Sequence, residues 1–277
     1  HTDAQVGRLR AALQDMDQYD NTLFVYIVGD NGASAEGGLT GSTNYMGDLQ
    51  GLVSDVARYA DAPQTLIGEN TFAHFPAAWA WATNTPFQWT KQVASHLGGT
   101  RNPMVLAWPK RIRDRGGLRS QFGHVNDIVP TILEVTGIAL PASVNGVAQQ
   151  PLDGVSFAYS FDDAKTTERH TTQYFEIFGN RSIYHDGWMA SAFRGRAPWA
   201  VISGARSEDF AADRWELYDL RADFSQGTDL AAREPARLRE LQQLFAREAT
   251  ANDVLLHNPT PENMRFPRLA GDRTHFS

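Results

Sequence analysis

The run Asn21-Thr-Leu-Phe-Val-Tyr-Ile-Val-Gly-Asp30-Asn31-Gly32 constrains this chain more than any other stretch. Residues 23–28 are β-prone and apolar without alternation, which predicts a strand buried on both faces. Such strands sit inside parallel sheets, and open α/β sheets take their ligands outside the carboxyl ends of the strands. Asp30 and Asn31 then emerge at that rim. One charged and one neutral side-chain oxygen side by side suit a hard cation such as calcium or magnesium. The same residues are also ordinary turn chemistry. Taken alone, they leave both readings open.

The remaining elements come from periodicity and punctuation. Val6, Leu9, Leu13 and Met16 place an amphipathic helix over 2–17 ahead of the strand, an α-to-β step of α/β architecture. Residues 32–63 are rich in Gly, Ser, Thr and Asn and read as a long loop with one short helix. Aromatics crowd 72–89, a pattern of core with an aryl- or sugar-binding wall as the alternative. Met104–Pro109 is a short strand closed by proline, preceded by the Gly98-Gly99 bend. A helix spans 126–136, capped by Asn126, with Pro130 in its first turn and Gly137 ending it. After a polar boundary near 162–172, short strands fall at 173–178, 181–185, 199–203 and 215–218. A helix with Leu238, Leu241, Leu244 and Phe245 on one face covers 235–249.

Composition narrows the function. A chain of 277 residues with 42% hydrophobic side chains and 7 Trp folds around a sizeable core. A net charge of −7 without a basic stripe argues against a nucleic-acid partner, while one cleft can still be locally basic. The absence of cysteine removes disulfides, thiolate metal sites and cysteine nucleophiles, and leaves the compartment open. No apolar run reaches the roughly 18 residues that span a bilayer.

In combination these pieces resemble the sulfatase family of the alkaline-phosphatase-like superfamily. The matching residues are Gly29-Asp30-Asn31-Gly32, Gly98-Gly99-Thr100-Arg101-Asn102-Pro103 before the 104–109 strand, and Asp127-Ile-Val-Pro-Thr131 with Gly137 beyond it. Trp215-Glu-Leu-Tyr218-Asp-Leu with Asp229-Leu-Ala-Ala completes the order. Ser95-His96-Leu-Gly-Gly-Thr-Arg101, Gln173-Tyr-Phe-Glu176 and Gly187-Trp188 are similar to the large bacterial arylsulfatases.

The resemblance implies an α/β fold: part of a mixed, mainly parallel sheet flanked by helices over 1–165, a small α+β subdomain of antiparallel strands and one helix over 166–256, and an extended tail over 257–277. It implies hydrolysis of a small-molecule sulfate ester. Asp30 and Asn31 would be one half of the shell of a divalent cation, calcium or magnesium. Lys91 would contact the sulfate and the leaving-group oxygen. His96 is open between a second sulfate contact, a proton donor and a packed histidine. Arg101 fixes its turn, with anion contact as a second role, and His124 is a helix-start contact.

Family members use a formylglycine made from Cys or Ser in a Cys/Ser-x-Pro-x-Arg motif, which this sequence lacks. The expectation is therefore the C-terminal part of an arylsulfatase, inactive by itself, with the nucleophile and the remaining metal ligands upstream. A phosphodiesterase or phosphonate monoester hydrolase on the same scaffold, and a non-catalytic binding protein, are the two alternatives.

Overall fold

Apolar positions at helical spacing form α1 (Thr2–Asp15) as expected, but none of its residues is buried. In the computed structural model the described residues are 1–48, 50–52, 68–69, 71–195, 197–200 and 210–254. The other elements, in chain order, are β1 (Phe24–Ile27), α2 (Tyr45–Asp48), α3 (Ala77–Asn84), α4 (Leu97–Thr100), β2 (Met104–Ala107), α5 (Ile128–Thr136), β3 (Ser143–Val144), β4 (Val147–Ala148), β5 (Thr172–Ile177), β6 (Asn180–His185), β7 (Trp188–Ala192), β8 (Trp215–Asp219) and α6 (Pro235–Ala251). The chain forms two compact units. The first holds His1–Asp30, Asn102–Gln173 and Tyr184–Gly187; the second holds Asn31–Arg101, Tyr174–Ile183 and Trp188 onward. No helix among the described residues is long and apolar enough to cross a membrane.

In the first unit β1 pairs with β2, Phe24 opposite Ala107 and Ile27 opposite Met104, and the pair runs antiparallel. β3–β4 and β7–β8 are antiparallel as well. The expected mainly parallel sheet is therefore corrected. The reason lies in what the apolar run can report. Missing alternation shows that both faces of a strand are greasy, not that both are covered. Here Phe24, Val25 and Tyr26 are only half-buried, while Ile27 and Val28 are 36% and 45% exposed. The unit's core is instead Phe157, Ala158 and Phe161, with Leu106 of β2 and Ile128 and Val135 of α5 packed against it.

The entry to α5 is built by side chains. His124 caps the 3-10 turn Val125–Asp127 by accepting from the Asn126 N–H, and Asp127 accepts from the His124 N–H at 2.8 Å. This reciprocal cap replaces the one expected from Asn126, because the turn begins two residues earlier. Gly137 ends α5 at φ 68°, the left-handed conformation glycine adopts without strain. Asp127 is fully buried and also accepts from the Val155 N–H at 2.7 Å.

Its other partner is His170, whose Nδ1 lies 2.7 Å from Asp127 Oδ1 while Nε2 lies 3.0 Å from the Thr172 carbonyl. A carboxylate and a carbonyl only accept, so this pair of partners favours the protonated ring, in which both nitrogens donate. Burial lowers the pKa of His170, but the hydrogen bond and charge of Asp127 outweigh it and hold it above the ordinary value.

The second unit contains the four-stranded sheet, ordered β5-β6-β7-β8, except for the first two residues of β5 and the last two of β6. β7 is a strand that the sequence analysis does not place. Ile183, Ala190 and Leu217 from the sheet pack on Leu241, Phe245 and Ala249 of α6, which gives the apolar face of that helix its cover. Of the strand expected at 199–203, residues 199–200 lie in a turn and 201–203 lie outside the described residues, as does the tail at 257–277. The loop expected over 32–63 carries α2 and the bridges Ser42–His74 and Asn44–Phe72 in its described part.

The His170–Asp127 pair generates a signed prediction. The folded pKa of His170 is raised, so the stability it contributes is complete below about 6.5 and is lost as pH rises through the folded value. Urea unfolding of wild type and His170→Gln across pH 5.5–9 should show a gap that closes toward high pH; a gap that widens contradicts the pairing. Asp127→Ala removes the acceptor of the His170 ring and of the His124 and Val155 N–H groups, and should cost about 3–5 kcal/mol.

Candidate active site

Two glycine-bearing turns meet in the second unit. The Gly32 N–H donates to the Gly99 carbonyl at 3.1 Å, and a Cβ on Gly32 would fall 1.6 Å from the Gly98 carbonyl oxygen. A Cβ on Gly98 would in turn lie 2.2 Å from the carbonyl oxygens of Gln88 and Trp89. Only bare backbone fits at either position. Ala33 extends the seam: its N–H donates to Asn84 Oδ1 at 2.9 Å, and its carbonyl accepts the Lys91 N–H at 3.0 Å. Asn84, at the end of α3, reaches back to the Trp89 carbonyl with its amide nitrogen. The residues just after the Asp30-Asn31 pair are thus laced to the backbone that carries Lys91.

The lacing brings Asn31 and Lys91 onto one cavity of about 250 Å³, which Glu36, Gln92 and Thr100 also line. The segment bearing Lys91 is bent sharply, with Trp89 at φ 68° and Gln92 at φ 77° on either side. Residues with a side chain adopt such angles only when their surroundings impose them. Trp89 is held by stacking on Phe193 at 4.0 Å between ring centroids. Gln92 is held by its side-chain amide, which donates to Glu36, and by its carbonyl, which accepts from Asn180 Nδ2 at 3.0 Å.

Glu36 is the anchor that the sequence motifs do not single out. Its carboxylate lies 3.4 Å from the Lys91 ammonium, with side-chain exposures of 8% and 37%. Tyr45 donates its hydroxyl to the same oxygen at 3.0 Å. Burial alone would raise the pKa of Glu36, but hydrogen bonds from Gln92, Tyr45 and Lys91, with the Lys91 charge, hold it below the usual carboxylate range. Burial and the neighbouring carboxylate push Tyr45 up to about 12. One sequence signal was available. Glu36 is the only acid between Asp30 and Asp48, set among glycines and small polar residues.

The other expected site residues lie elsewhere. His96 is 1% exposed, with Nδ1 2.9 Å from Ser95 Oγ and Nε2 3.1 Å from Glu216 Oε2. Both nitrogens are thus engaged inside the protein, and the ring does not line the cavity. The bond from His96 holds the Glu216 pKa low. The guanidinium of Arg101 lies over the rings of Phe87 and Phe224, 5.1 and 5.8 Å from their centroids, again away from the cavity wall. Asp30 is solvent-exposed and closes the first unit, while Asn31 opens the second.

For a divalent cation the donor chemistry fits, since carboxylate and amide oxygens are what calcium and magnesium take. The number does not suffice. Two side chains give a fraction of the six to eight oxygens calcium prefers. No group of three or more His, Cys, Asp or Glu among the described residues is placed to hold a metal. What the cavity offers is an ammonium paired with a buried carboxylate, with Asn31 and Gln92 also on its lining. That arrangement suits recognition of a compact anion.

Comparison with known proteins gives the family. Residues 1–138 match the sulfatase family model. The chain is 27% identical over 241 residues to an uncharacterized sulfatase of Schizosaccharomyces pombe, covering 86% of this chain and 40% of that protein. It is 24% identical over 154 residues to N-acetylglucosamine-6-O-sulfatase of Bacteroides thetaiotaomicron, covering 52% and 24% of the two chains. The crystal structure of the sulfatase PsFucS1 from Pseudoalteromonas sp. superposes with a TM-score of 0.55 at 14% identity, over 91% of this chain and 42% of that one. Together these similarities support a member of the sulfatase family, and the chain spans less than half the length of these relatives.

The glycine seam can be tested directly. Gly32→Ala drives a methyl group into the Gly98 carbonyl, and the backbone on both sides must part. A loss of about 3 kcal/mol or more in chemical denaturation is expected. Gly38→Ala, where a Cβ would meet nothing within 4 Å, should cost less despite its positive φ. Equal losses would show that the seam is not a tight constraint.

Proposed function

We propose that this chain supplies the sulfate-recognition side of a sulfuric ester hydrolase of arylsulfatase type. The observation that carries the reading is the placement of Lys91 and Asn31 on one cavity, with the ammonium braced by Glu36. In this reading Lys91 binds a sulfate oxygen and stabilises the charge that develops on the leaving oxygen as the S–O bond breaks. Asp30 and Asn31 supply part of the shell of a divalent cation, calcium or magnesium. When bound, the cation would neutralise sulfate oxygens and favour the ionised form of a hydroxyl nucleophile. The nucleophile is a formylglycine contributed from outside these residues. His96 acts as a positioning residue: its bonds to Ser95 and Glu216 fix the start of α4, whose Leu97 N–H donates to Gln226 Oε1 at 2.8 Å. Substrate contact is left to Lys91.

The test is a parallel assay of the full-length protein with an aryl sulfate and an aryl phosphodiester. Sulfate-ester turnover should dominate, and Lys91→Ala should lower kcat by about 10²–10³-fold, the loss typical of one transition-state donor. Dominant diester turnover, or a Lys91→Ala protein with unchanged kcat, overturns the reading.

A further inference from the structure

Where β6 begins, β7 ends and β8 begins, two arginines share one acid. Arg181 of β6 and Arg194, two residues past β7, reach the same oxygen, Oδ2 of Asp213, at 2.5 and 3.0 Å. They are only 3% and 8% exposed. The turn before β6 makes room for them: Gly179 takes φ 83°, and a Cβ there would fall 2.4 Å from Arg194 Cδ. The Phe210 ring lies 3.5 Å from the Arg194 guanidinium carbon and 5.4 Å from that of Arg181, and Trp215 flanks Arg181 at 4.9 Å. All of these residues belong to the second unit.

Neither charge nor hydrogen bonding balances here. Two guanidiniums, which keep their protons in proteins, face one carboxylate, so one positive charge is left over. Glu176 does not cancel it: its carboxylate accepts the Gly179 N–H at 2.7 Å and forms no ion pair with either arginine. The aromatic rings attract the cations through their quadrupoles, but a ring carries no net charge. Each guanidinium also has five N–H groups to place. Arg181 bonds Asp213 and the carbonyls of Gly179 and Phe210, yet its Nε is buried without an acceptor among the described residues. Arg194 bonds Asp213 alone through its guanidinium, and its Nη2 is buried without an acceptor among the same residues. Unmet donors and an uncancelled charge are each costly in the interior, and one ligand relieves both. We propose that Arg181 and Arg194 hold one small monovalent anion, of the chloride, bromide or nitrate kind, as a structural ligand of the second unit. Charge fixes the valence, since a dianion would leave the cluster negative. The aromatic neighbours favour weakly hydrated ions, which give up their water at least cost. Asp213, with 10% of its side chain exposed, marks the edge where the cluster meets solvent. None of these residues lines the Lys91 cavity, so the site is independent of what that cavity binds.

Thermal melting of the 277-residue chain tests the site, at fixed ionic strength with gluconate as the bulky, strongly hydrated replacement anion. Exchanging gluconate for chloride, bromide or nitrate at millimolar levels should raise the melting temperature. Each tenfold increase above half-saturation should add about 3–5 °C. Lys91→Ala should keep the full effect. Arg194→Met leaves one guanidinium on one carboxylate, and it should melt at one temperature in all four salts. The intact cluster is also read directly by the chloride NMR line width, whatever the folding of that variant. The Lys91→Ala protein should broaden the line, and nitrate, but not gluconate, should reverse this. Equal melting of the wild type in chloride and gluconate overturns the site, as does a chloride line that stays narrow. An anion effect that survives Arg194→Met, or one that vanishes with Lys91→Ala, overturns it as well.

Discussion

The backbone contact between Gly32 and the Gly98-Gly99 pair is the constraint on which the candidate site depends. Two chain segments more than sixty residues apart in sequence approach so closely that no side chain fits between them. The hydrogen bonds along the seam then leave little freedom to the residues beside it. Asn31 is held one residue before Gly32, and Lys91 is fixed by its own N–H through Ala33. A site that must hold a small anion needs its charged and polar groups fixed to a fraction of an ångström, and rigid backbone provides this better than long side chains do. The left-handed angles at Trp89 and Gln92 arise from the same demand. The chain bends where the seam requires, and stacking and hydrogen bonds offset the strain.

Much of this was legible as pattern and little of it as geometry. The Asp30-Asn31-Gly32 and Gly98-Gly99 motifs could be seen, along with the helices at α1, α5 and α6, because glycine and helical period leave marks in a single sequence. That the two glycine motifs touch could not be seen, since nothing local encodes a contact over that distance. The sheet departs from expectation for a related reason. Residues 24–28 are apolar on both faces, yet burial belongs to what packs against a strand, and among the described residues β1 pairs only with β2. Histidines show the same limit. His96 and His170 look alike in sequence, but each is enclosed with both nitrogens bonded, one to Ser95 and Glu216, the other to Asp127 and Thr172.

The two buried histidines lie one in each unit. In the first unit, His170 and Asp127 form an enclosed ion pair that joins the start of α5 to the start of β5. In the second, the enclosed histidine pairs with Glu216, and the ion pair at the cavity is Lys91 with Glu36. Of these three pairs, only the last has a partly exposed basic group. A buried pair contributes to specificity of packing more than to net stability, because desolvation offsets most of the attraction. A half-exposed pair behaves differently. It leaves the ammonium accessible to a ligand while the carboxylate restricts where it can go.

A carboxylate beside the proposed anion site needs a physical reason, since it repels the ligand that site would hold. Glu36 accepts from Tyr45, Gln92 and Lys91, so its charge is spread over three donors. Without it, the Lys91 side chain has four rotatable bonds and an ammonium free to sample solvent. Holding that ammonium in place before the ligand arrives lowers the ordering cost of binding, which for a long cation is of the same order as the gain from one hydrogen bond. Repulsion from a well-partnered carboxylate is the smaller term. On the proposed reading, the arrangement favours a ligand that brings several acceptors at once, such as a tetrahedral oxyanion, over a singly charged, monodentate anion that gains too little to offset Glu36.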